Sequence, residues 1–263
     1  MKKSYNCKVL KYKDSTHVEI FSRTISREEN IDDNKITDDI KKKNKINIIE
    51  YLEEDLRKEE KKEHSSKVSV NRSKNNLYRI ARSNEWEYFI TFTFNPKTVD
   101  STDYDVVSKI VTNWLNNLRK NSPDLKYLFV PEFHKDGKKY HYHGLIANAD
   151  SLVLSDSGIV DKDGETIYNI DNWSWGYTNA SKIKDNKRVI NYIGKYITKE
   201  LMNNLKYKKR YYASHNLNVV DEDLRLIYPD EKYKEYDFSA ADYIKTIDVP
   251  GCGLTITYLE FNT

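Results

Sequence analysis

The segment Tyr127–Ile146 constrains the fold more than any other part of the sequence. It contains two apolar runs, YLFVPEFH and YHYHGLI, which flank the polar sequence KDGK. An Asp-Gly pair between two runs of strand-forming residues is a strong local signal for an antiparallel hairpin. With Asp136 and Gly137 at the centre of a two-residue turn, Glu132 lies directly opposite His141. The segment therefore predicts a hairpin together with its register, which a slip of one residue would break.

Four side chains of this hairpin are candidate metal ligands. Side chains alternate along a strand, so His141 and His143 point to the same face. Directly opposed residues of antiparallel strands share a face, which brings Glu132 and His134 to that side. Two imidazoles and a carboxylate suit Mg²⁺ or Mn²⁺ as well as Zn²⁺. We predict a metal site at His141 and His143 with Glu132 as third ligand and His134 as the competing third or fourth; the alternative is an ordinary pair of core or surface histidines.

A second motif lies downstream, in the sequence NYIGKYITK, within a helix that we predict over Asp185–Asn204. At about 100° per residue, two tyrosines and two lysines of this motif fall on one arc and the isoleucines on another. A lysine one turn from a phenol favours the phenolate and stabilises the charge of a phosphate. The motif predicts Tyr192 and Tyr196 as nucleophiles assisted by Lys195 and Lys199. The alternative is an amphipathic helix whose tyrosines pack at the edge of the core.

These motifs together resemble those of a known family. The sequence HYH at 141–143, followed by a helix with Tyr-x-x-Lys, resembles the HUH endonucleases in the order used by rolling-circle replication initiators rather than relaxases. The doubled Tyr-x-x-Lys motif is similar to the two-tyrosine form of phage initiators. FITFTF at 89–94 resembles the strand that opens that domain, and KRYYAS at 209–214 resembles a basic-aromatic run in initiators of low-GC bacteria and their plasmids and phages. The resemblance covers roughly Trp86 to Leu217.

The resemblance implies metal-dependent nicking of single-stranded origin DNA. Tyr192 or Tyr196 would attack a phosphate and leave a 5′-phosphotyrosine and a free 3′-OH for a DNA polymerase. It implies Mg²⁺ or Mn²⁺ as cofactor. No Gly-rich nucleotide-binding loop occurs in the sequence, so a host or separately encoded helicase is the expected partner for unwinding. The alternatives are an HUH transposase and a non-catalytic DNA-binding protein with a structural metal.

The net charge of +3 conceals an uneven distribution. Between Tyr177 and Tyr212 there are ten Lys and Arg residues and two acids, whereas ten acids follow Ala213. A basic segment around the tyrosine helix is where we expect contacts with phosphates. We predict as DNA-binding residues Lys182, Lys184, Lys187, Arg188, Lys209 and Arg210. A solvated helix face is the alternative.

The order of predicted elements is strand, helix, hairpin, strand, helix, which indicates an α+β fold with a mainly antiparallel central sheet and packed helices, an RRM-like sandwich. The first helix begins at a Thr102 capping box and ends near Asn121. The aromatic residues of WSWGY at 173–177 either pack on the sheet or stack nucleobases.

We divide the chain into an N-terminal hairpin at 1–25, a charged linker or helical segment at 26–84, the endonuclease core at 85–217 and an acidic C-terminal extension at 218–263. Two cysteines are too few for a disulfide framework. No apolar run of the sequence is long enough to span a membrane, so we expect no membrane partner and a cytoplasmic location.

Overall fold

The fold is α+β, with two antiparallel sheets and few helices. The computed structural model describes residues 2–28, 69–196, 205, 208–228, 236–249 and 253–263. These residues belong to two compact units, one within 1–50 and 220–263 and the other within 51–219. Among them, no helix is both long enough and apolar enough to cross a bilayer.

The strands are numbered in chain order. They are β1 (Lys2–Lys11), β2 (Ser15–Glu28), β3 (Tyr88–Thr93), β4 (Lys126–Phe133), β5 (Tyr140–Ala147), β6 (Leu154–Val160), β7 (Thr166–Ile170), β8 (Thr178–Lys182), β9 (Tyr212–Ala213), β10 (Glu222–Arg225), β11 (Tyr243–Val249) and β12 (Leu254–Asn262). The helices are α1 (69–82), α2 (Tyr104–Asn121) and α3 (Asn186–Ile193). Short 3-10 turns cover Gly194–Tyr196 and Phe238–Ala240.

The smaller unit is a five-stranded sheet in the order β10-β1-β2-β12-β11. Its centre is the N-terminal hairpin that the sequence predicts, and β2 pairs with β12 while β1 pairs with β10. Segments that we predicted separately, at the beginning of the chain and after residue 217, therefore share one sheet. Alternate residues of β1 and β2 form a small apolar cluster with Leu259 of β12, namely Cys7, Val9, Val18 and Ile20.

The larger unit contains a seven-stranded sheet in the order β6-β7-β8-β3-β5-β4-β9. One face of this sheet is covered by α2. The helix buries an apolar stripe with the spacing of an amphipathic helix, namely Val107, Val111, Trp114, Leu115 and Leu118. The Phe92 ring of β3 contacts Trp114 of α2 at a centroid distance of 4.8 Å and stacks on Trp173 at 4.2 Å. The even-numbered residues of β3 therefore face an aromatic core.

The start of α2 differs from the prediction by one residue. The capping box at Thr102 is wrong, because the N-cap is Asp103, whose carboxylate accepts the N–H groups of the second and third residues after it. The Thr102 hydroxyl instead donates to the Asp100 carboxylate at 2.6 Å. Asp103 is thus the side chain that satisfies the exposed N–H groups of the first turn. The helix ends at Asn121, as predicted.

Candidate active site

The hairpin predicted from the sequence is present with the predicted register. Strands β4 and β5 pair antiparallel, and Glu132 lies directly opposite His141. The backbone N–H of His134 donates to the Lys139 carbonyl at 2.7 Å, which extends the pairing toward the turn. The cross-strand relation on which the metal prediction depends is therefore confirmed.

The turn of this hairpin is longer than predicted. A two-residue turn centred on Asp136 and Gly137 is wrong, because the connection spans 135–138 and the Gly137 N–H donates to the His134 carbonyl at 2.8 Å. Gly137 has a φ of 67°, a left-handed conformation that glycine adopts without strain. The register is unchanged, since the two kinds of turn share one centre and differ by one residue on each side.

Three of the four predicted ligands meet on one face of β4 and β5. The Oε2 atom of Glu132 lies 2.8 Å from the Nε2 atoms of both His141 and His143. One ligand atom from each of these residues lies within 4.8 Å of the others. Adjacent donor atoms around a six-coordinate ion with bonds of about 2.1 Å are separated by about 3 Å. The three side chains can therefore hold one metal ion together, and we call them the triad.

His134 lies at the edge of this group. Its ring centroid is 5.8 Å from that of His141, whereas the centroids of His141 and His143 are 4.7 Å apart. His134 is not among the residues whose ligand atoms converge. Of the two residues that the sequence offers for the third ligand, Glu132 is the better placed.

Strand β3 orients one of the histidines. Thr91 lies opposite His143, and its Oγ1 atom is 3.0 Å from the Nδ1 atom of the imidazole. An imidazole that donates its Nδ1–H to a neighbouring oxygen keeps its Nε2 lone pair available for a cation. Thr91 therefore favours the tautomer of His143 that can bind a metal ion. The sequence reasoning missed this residue, although alternation along FITFTF places Phe89, Thr91 and Thr93 on one face.

Burial and hydrogen bonding set the charges of the triad. Burial raises the pKa of the Glu132 carboxyl, but hydrogen bonds from His141 and His143 and the charges of the two rings outweigh it, and the pKa falls to about 2. Burial lowers the pKa of His143, and the neighbouring Glu132 only partly offsets this. An ionised carboxylate and a neutral imidazole are the forms that bind cations.

Gly144 directly follows the second histidine and serves the opposite face of the sheet. It lies opposite Phe129, and a Cβ atom at this position would be 2.2 Å from the Phe129 ring. That ring in turn stacks on Phe92 with a centroid distance of 5.3 Å. The absence of a side chain at Gly144 thus lets an aromatic ring of β4 lie directly against β5.

Helix α3 changes its form before the second tyrosine. The Arg188 N–H donates to the Asp185 carboxylate at 3.1 Å, close to the predicted start of the helix. The α-helix ends at Ile193, and Gly194–Tyr196 form a turn of 3-10 helix. The rest of the predicted helix, at 197–204, lies outside the described residues, and with it the predicted catalytic Lys199.

Tyr196 lies in the core, against the triad. Its ring stacks on that of His143 with a centroid distance of 3.8 Å and an interplanar angle of 9°, and only 7% of the residue is exposed. The prediction that both tyrosines lie on an arc away from the apolar face is therefore wrong for Tyr196. Residues three positions apart eclipse one another in a 3-10 helix, so Tyr196 follows the buried Ile193 into the core.

Tyr192 lies beside Tyr196 and is open to solvent. The two ring centroids are 5.2 Å apart and the rings are nearly perpendicular, and 45% of Tyr192 is exposed. The Nζ atom of Lys195 lies over the face of the Tyr192 ring, 5.3 Å from its centroid. Lys195 therefore contacts the tyrosine one turn before it through the ring face, as a cation–π pair.

The environment of Tyr196 favours the protonated phenol. Burial raises the pKa of Tyr196 well above its usual range, and the hydrogen bond with Tyr192 and the nearby charges of Tyr192 and Glu132 raise it further. A nucleophilic role for this residue therefore requires added positive charge, or a base, close to the phenol oxygen.

A cleft of about 740 Å³ opens beside Tyr192. Three of the predicted DNA-binding residues line it, namely Lys182, Lys184 and Arg188. The turn between β6 and β7 contributes acidic side chains to the same cleft, and the Glu165 Oε1 atom lies 2.6 Å from the Nζ atom of Lys184. The basic residues of β8 and α3 are thus brought together next to the exposed tyrosine.

The other predicted DNA-binding residues lie away from this cleft. Lys187 is on α3 but does not line it, and Lys209 and Arg210 precede β9, at the far edge of the sheet. The Nη1 atom of Arg210 donates to the carbonyl and hydroxyl of Ser69 and to the hydroxyl of Ser73. Arg210 therefore ties the segment before β9 to the first described turns of α1.

Residues 87–201 match a family model of replication-associated proteins, described as Replication-associated protein ORF2. The matched range is less than half of the chain. It contains the triad, both tyrosines of α3 and its 3-10 turn, and the strands that position them. No curated protein and no solved structure matches the chain.

Proposed function

We propose that this chain is a rolling-circle replication initiator, which nicks single-stranded origin DNA in a metal-dependent reaction and transfers the strand through a 5′-phosphotyrosine. The observation that carries the proposal is the stacking of Tyr196 on His143, a member of the triad. A candidate nucleophile and a set of candidate metal ligands thus lie in contact within the range that matches a family of replication-associated proteins.

The donor atoms of the triad fit a hard or borderline divalent cation. Two imidazole nitrogens and one carboxylate oxygen suit Mg²⁺ or Mn²⁺, with coordination positions left for a phosphate and water. When bound, such an ion withdraws charge from a non-bridging oxygen of the scissile phosphate and stabilises the transition state. Thr91 keeps His143 in the tautomer that this role requires.

The tyrosines supply the covalent chemistry. A phenol oxygen forms a bond to phosphorus while the bond from phosphorus to the 3′-oxygen breaks, and the phenol proton is balanced by the proton gained by the 3′-OH. We assign the first cut to Tyr196, which contacts the triad, and the second to Tyr192, whose ring lies 5.2 Å from it. Because the phosphotyrosine conserves the energy of the broken bond, a later 3′-OH can reverse the step and rejoin the strand.

The DNA strand follows the basic side of the cleft. Lys182, Lys184, Arg188 and Lys195 line this cleft beside Tyr192, and their charges suit consecutive phosphates. Lys187 and Lys209 lie outside it and are assigned to more distant phosphates. The free 3′-OH then primes a DNA polymerase, and a separate helicase unwinds the duplex.

The test is a nicking assay with Mn²⁺ on labelled single-stranded oligonucleotides that tile the replicon encoding the chain. One oligonucleotide should be cut at one position, with its new 5′ end attached to protein. His141→Ala should abolish cutting with little change in melting temperature, because the larger unit has its own core. His215→Ala is the matched control, since His215 is an exposed histidine outside the triad. Origin binding without any cutting would identify a non-catalytic DNA-binding protein.

A further inference from the structure

One row of residues crosses four adjacent strand positions on the face of the sheet that carries the triad. Glu132 lies opposite His141, and His141 lies opposite Thr93. The Thr93 N–H donates to the Tyr177 carbonyl at 2.9 Å, which continues the β3–β8 register by one pair. Directly opposed residues share a face, so the row runs Glu132, His141, Thr93, Tyr177.

The burial pattern at the start of β8 gives the same face for Tyr177. Thr178 is buried, and its hydroxyl oxygen accepts the Ile170 N–H at 2.8 Å. Thr178 lies opposite Phe92, on the aromatic side of the sheet. Since side chains alternate along a strand, Tyr177 and the exposed Asn179 lie on the triad side.

Tyr177 is unusually exposed for an aromatic residue in a fixed backbone. Its exposed fraction is 82%. The preceding Gly176 lies so close to β3 that a Cβ atom there would be 2.0 Å from the Thr93 carbonyl oxygen. A second bond, from the Asn95 N–H to the Trp175 carbonyl at 2.8 Å, holds the segment on the other side of Gly176. The ring is thus presented to solvent from a backbone that is held in place.

Packing accounts for the other aromatic residues of this segment but not for Tyr177. Trp173 is buried and stacks on Phe92, and Trp175 contacts Trp173 at a centroid distance of 5.1 Å. The two possibilities left open by the sequence, packing and base stacking, therefore divide within one segment. The tryptophans pack, and the tyrosine presents a free ring face.

We propose that Tyr177 is a stacking platform for a nucleobase next to the scissile phosphate, a role that rests on the proposed function. Adjacent strands are about 4.8 Å apart, so the Tyr177 backbone lies about 10 Å from that of His141. At 3.4 Å per nucleotide in a stacked strand, this corresponds to about three nucleotides, and to fewer in an extended strand. Lys182, on the same strand, and Arg188 supply charge for the phosphates on that side. Tyr177 is a positioning residue, which holds the strand while the phenol reacts elsewhere.

The test compares two probes without divalent metal, so that no cutting occurs. One probe is oligothymidine of about 15 nucleotides, and the other is an abasic oligomer of the same length, which keeps the phosphates but lacks the bases. Stacking of one base contributes about 1–3 kcal/mol, so Tyr177→Ala should weaken oligothymidine binding roughly 5- to 150-fold. Binding of the abasic oligomer should not change. Tyr177→Phe should retain both affinities, and Lys182→Ala should weaken both.

Tyr243→Ala is the matched control, because Tyr243 is an exposed tyrosine of β11 in the other unit. It should change neither affinity. Equal losses on both probes in Tyr177→Ala, or no loss on either, would overturn the stacking role. If the wild-type chain forms the covalent adduct but Tyr177→Ala binds oligothymidine normally, the platform fails and the nickase stands. If the wild-type chain binds neither probe, the proposed function fails with it.

Discussion

The two faces of β5 perform different tasks, although they alternate along one strand. On one face, Tyr142 and Gly144 belong to a packed interior, where Gly144 admits the Phe129 ring. On the other face, His141 and His143 converge with Glu132 and carry Tyr196. The comparison teaches that a period of two residues is enough to separate stability from chemistry. Substitutions on the two faces should therefore have separable effects.

The largest expected effect comes from β3, which has a phenylalanine on each face. Phe92 is fully buried among aromatic rings, so Phe92→Ala should lower the free energy of unfolding by about 3–5 kcal/mol. Phe89 is partly exposed and contacts His143, Tyr192 and Tyr196, so Phe89→Ala should cost less stability but reduce nicking. Urea denaturation and the nicking assay measure the two effects. Similar losses of stability in both variants would contradict the separation of faces.

The next effect concerns the third metal ligand. Glu132→Ala should weaken Mn²⁺ binding by about tenfold or more, because even groups that only orient a ligand contribute about 10–100-fold. His134→Ala is the matched variant in the same strand-to-turn region and should leave the affinity nearly unchanged. Calorimetric titration with Mn²⁺ measures both. An unchanged affinity in Glu132→Ala together with a loss in His134→Ala would move the third ligand to His134.

The smallest expected effect is that of Thr91→Val, which preserves the shape of the side chain and removes its hydroxyl. The histidine should lose its fixed tautomer, and Mn²⁺ affinity should fall by about tenfold. The buried aromatic face is not altered, so the urea midpoint should change little. Thr93→Val is the control, since Thr93 lies on the same face of the same strand, opposite His141. Equal losses of affinity in the two variants would argue against the specific bond to His143.

The sequence predicted the triad because its residues lie in one hairpin. Alternation along β5 and the centre of the turn together determine which residues oppose each other, and an error in turn length did not matter because it left that centre in place. Thr91 and Phe89 could not be found in this way, since no local pattern pairs β3 with β5. The joining of β2 and β12 depends on an even longer separation along the chain.

The tyrosine helix was predicted less well, for a different reason. The wheel of about 100° per residue assumed that the α-helix continues through Gly194. The change to a 3-10 turn rotates Tyr196 toward Ile193 and the core, while Tyr192 keeps its exposed position. The pairing of each tyrosine with its own lysine can be described only for Lys195, because Lys199 lies outside the described residues.

The central claim is that a tyrosine stacked on the triad forms a covalent bond to DNA. Mass spectrometry of the DNA–peptide adduct tests it directly in the wild-type chain, Tyr192→Phe and Tyr196→Phe. The account predicts that the first adduct contains Tyr196, that Tyr196→Phe removes it, and that Tyr192→Phe forms it but fails to rejoin the strand. Loss of the adduct in Tyr192→Phe with full activity in Tyr196→Phe would make Tyr196 a packing residue, and an adduct on neither tyrosine would contradict the claim itself.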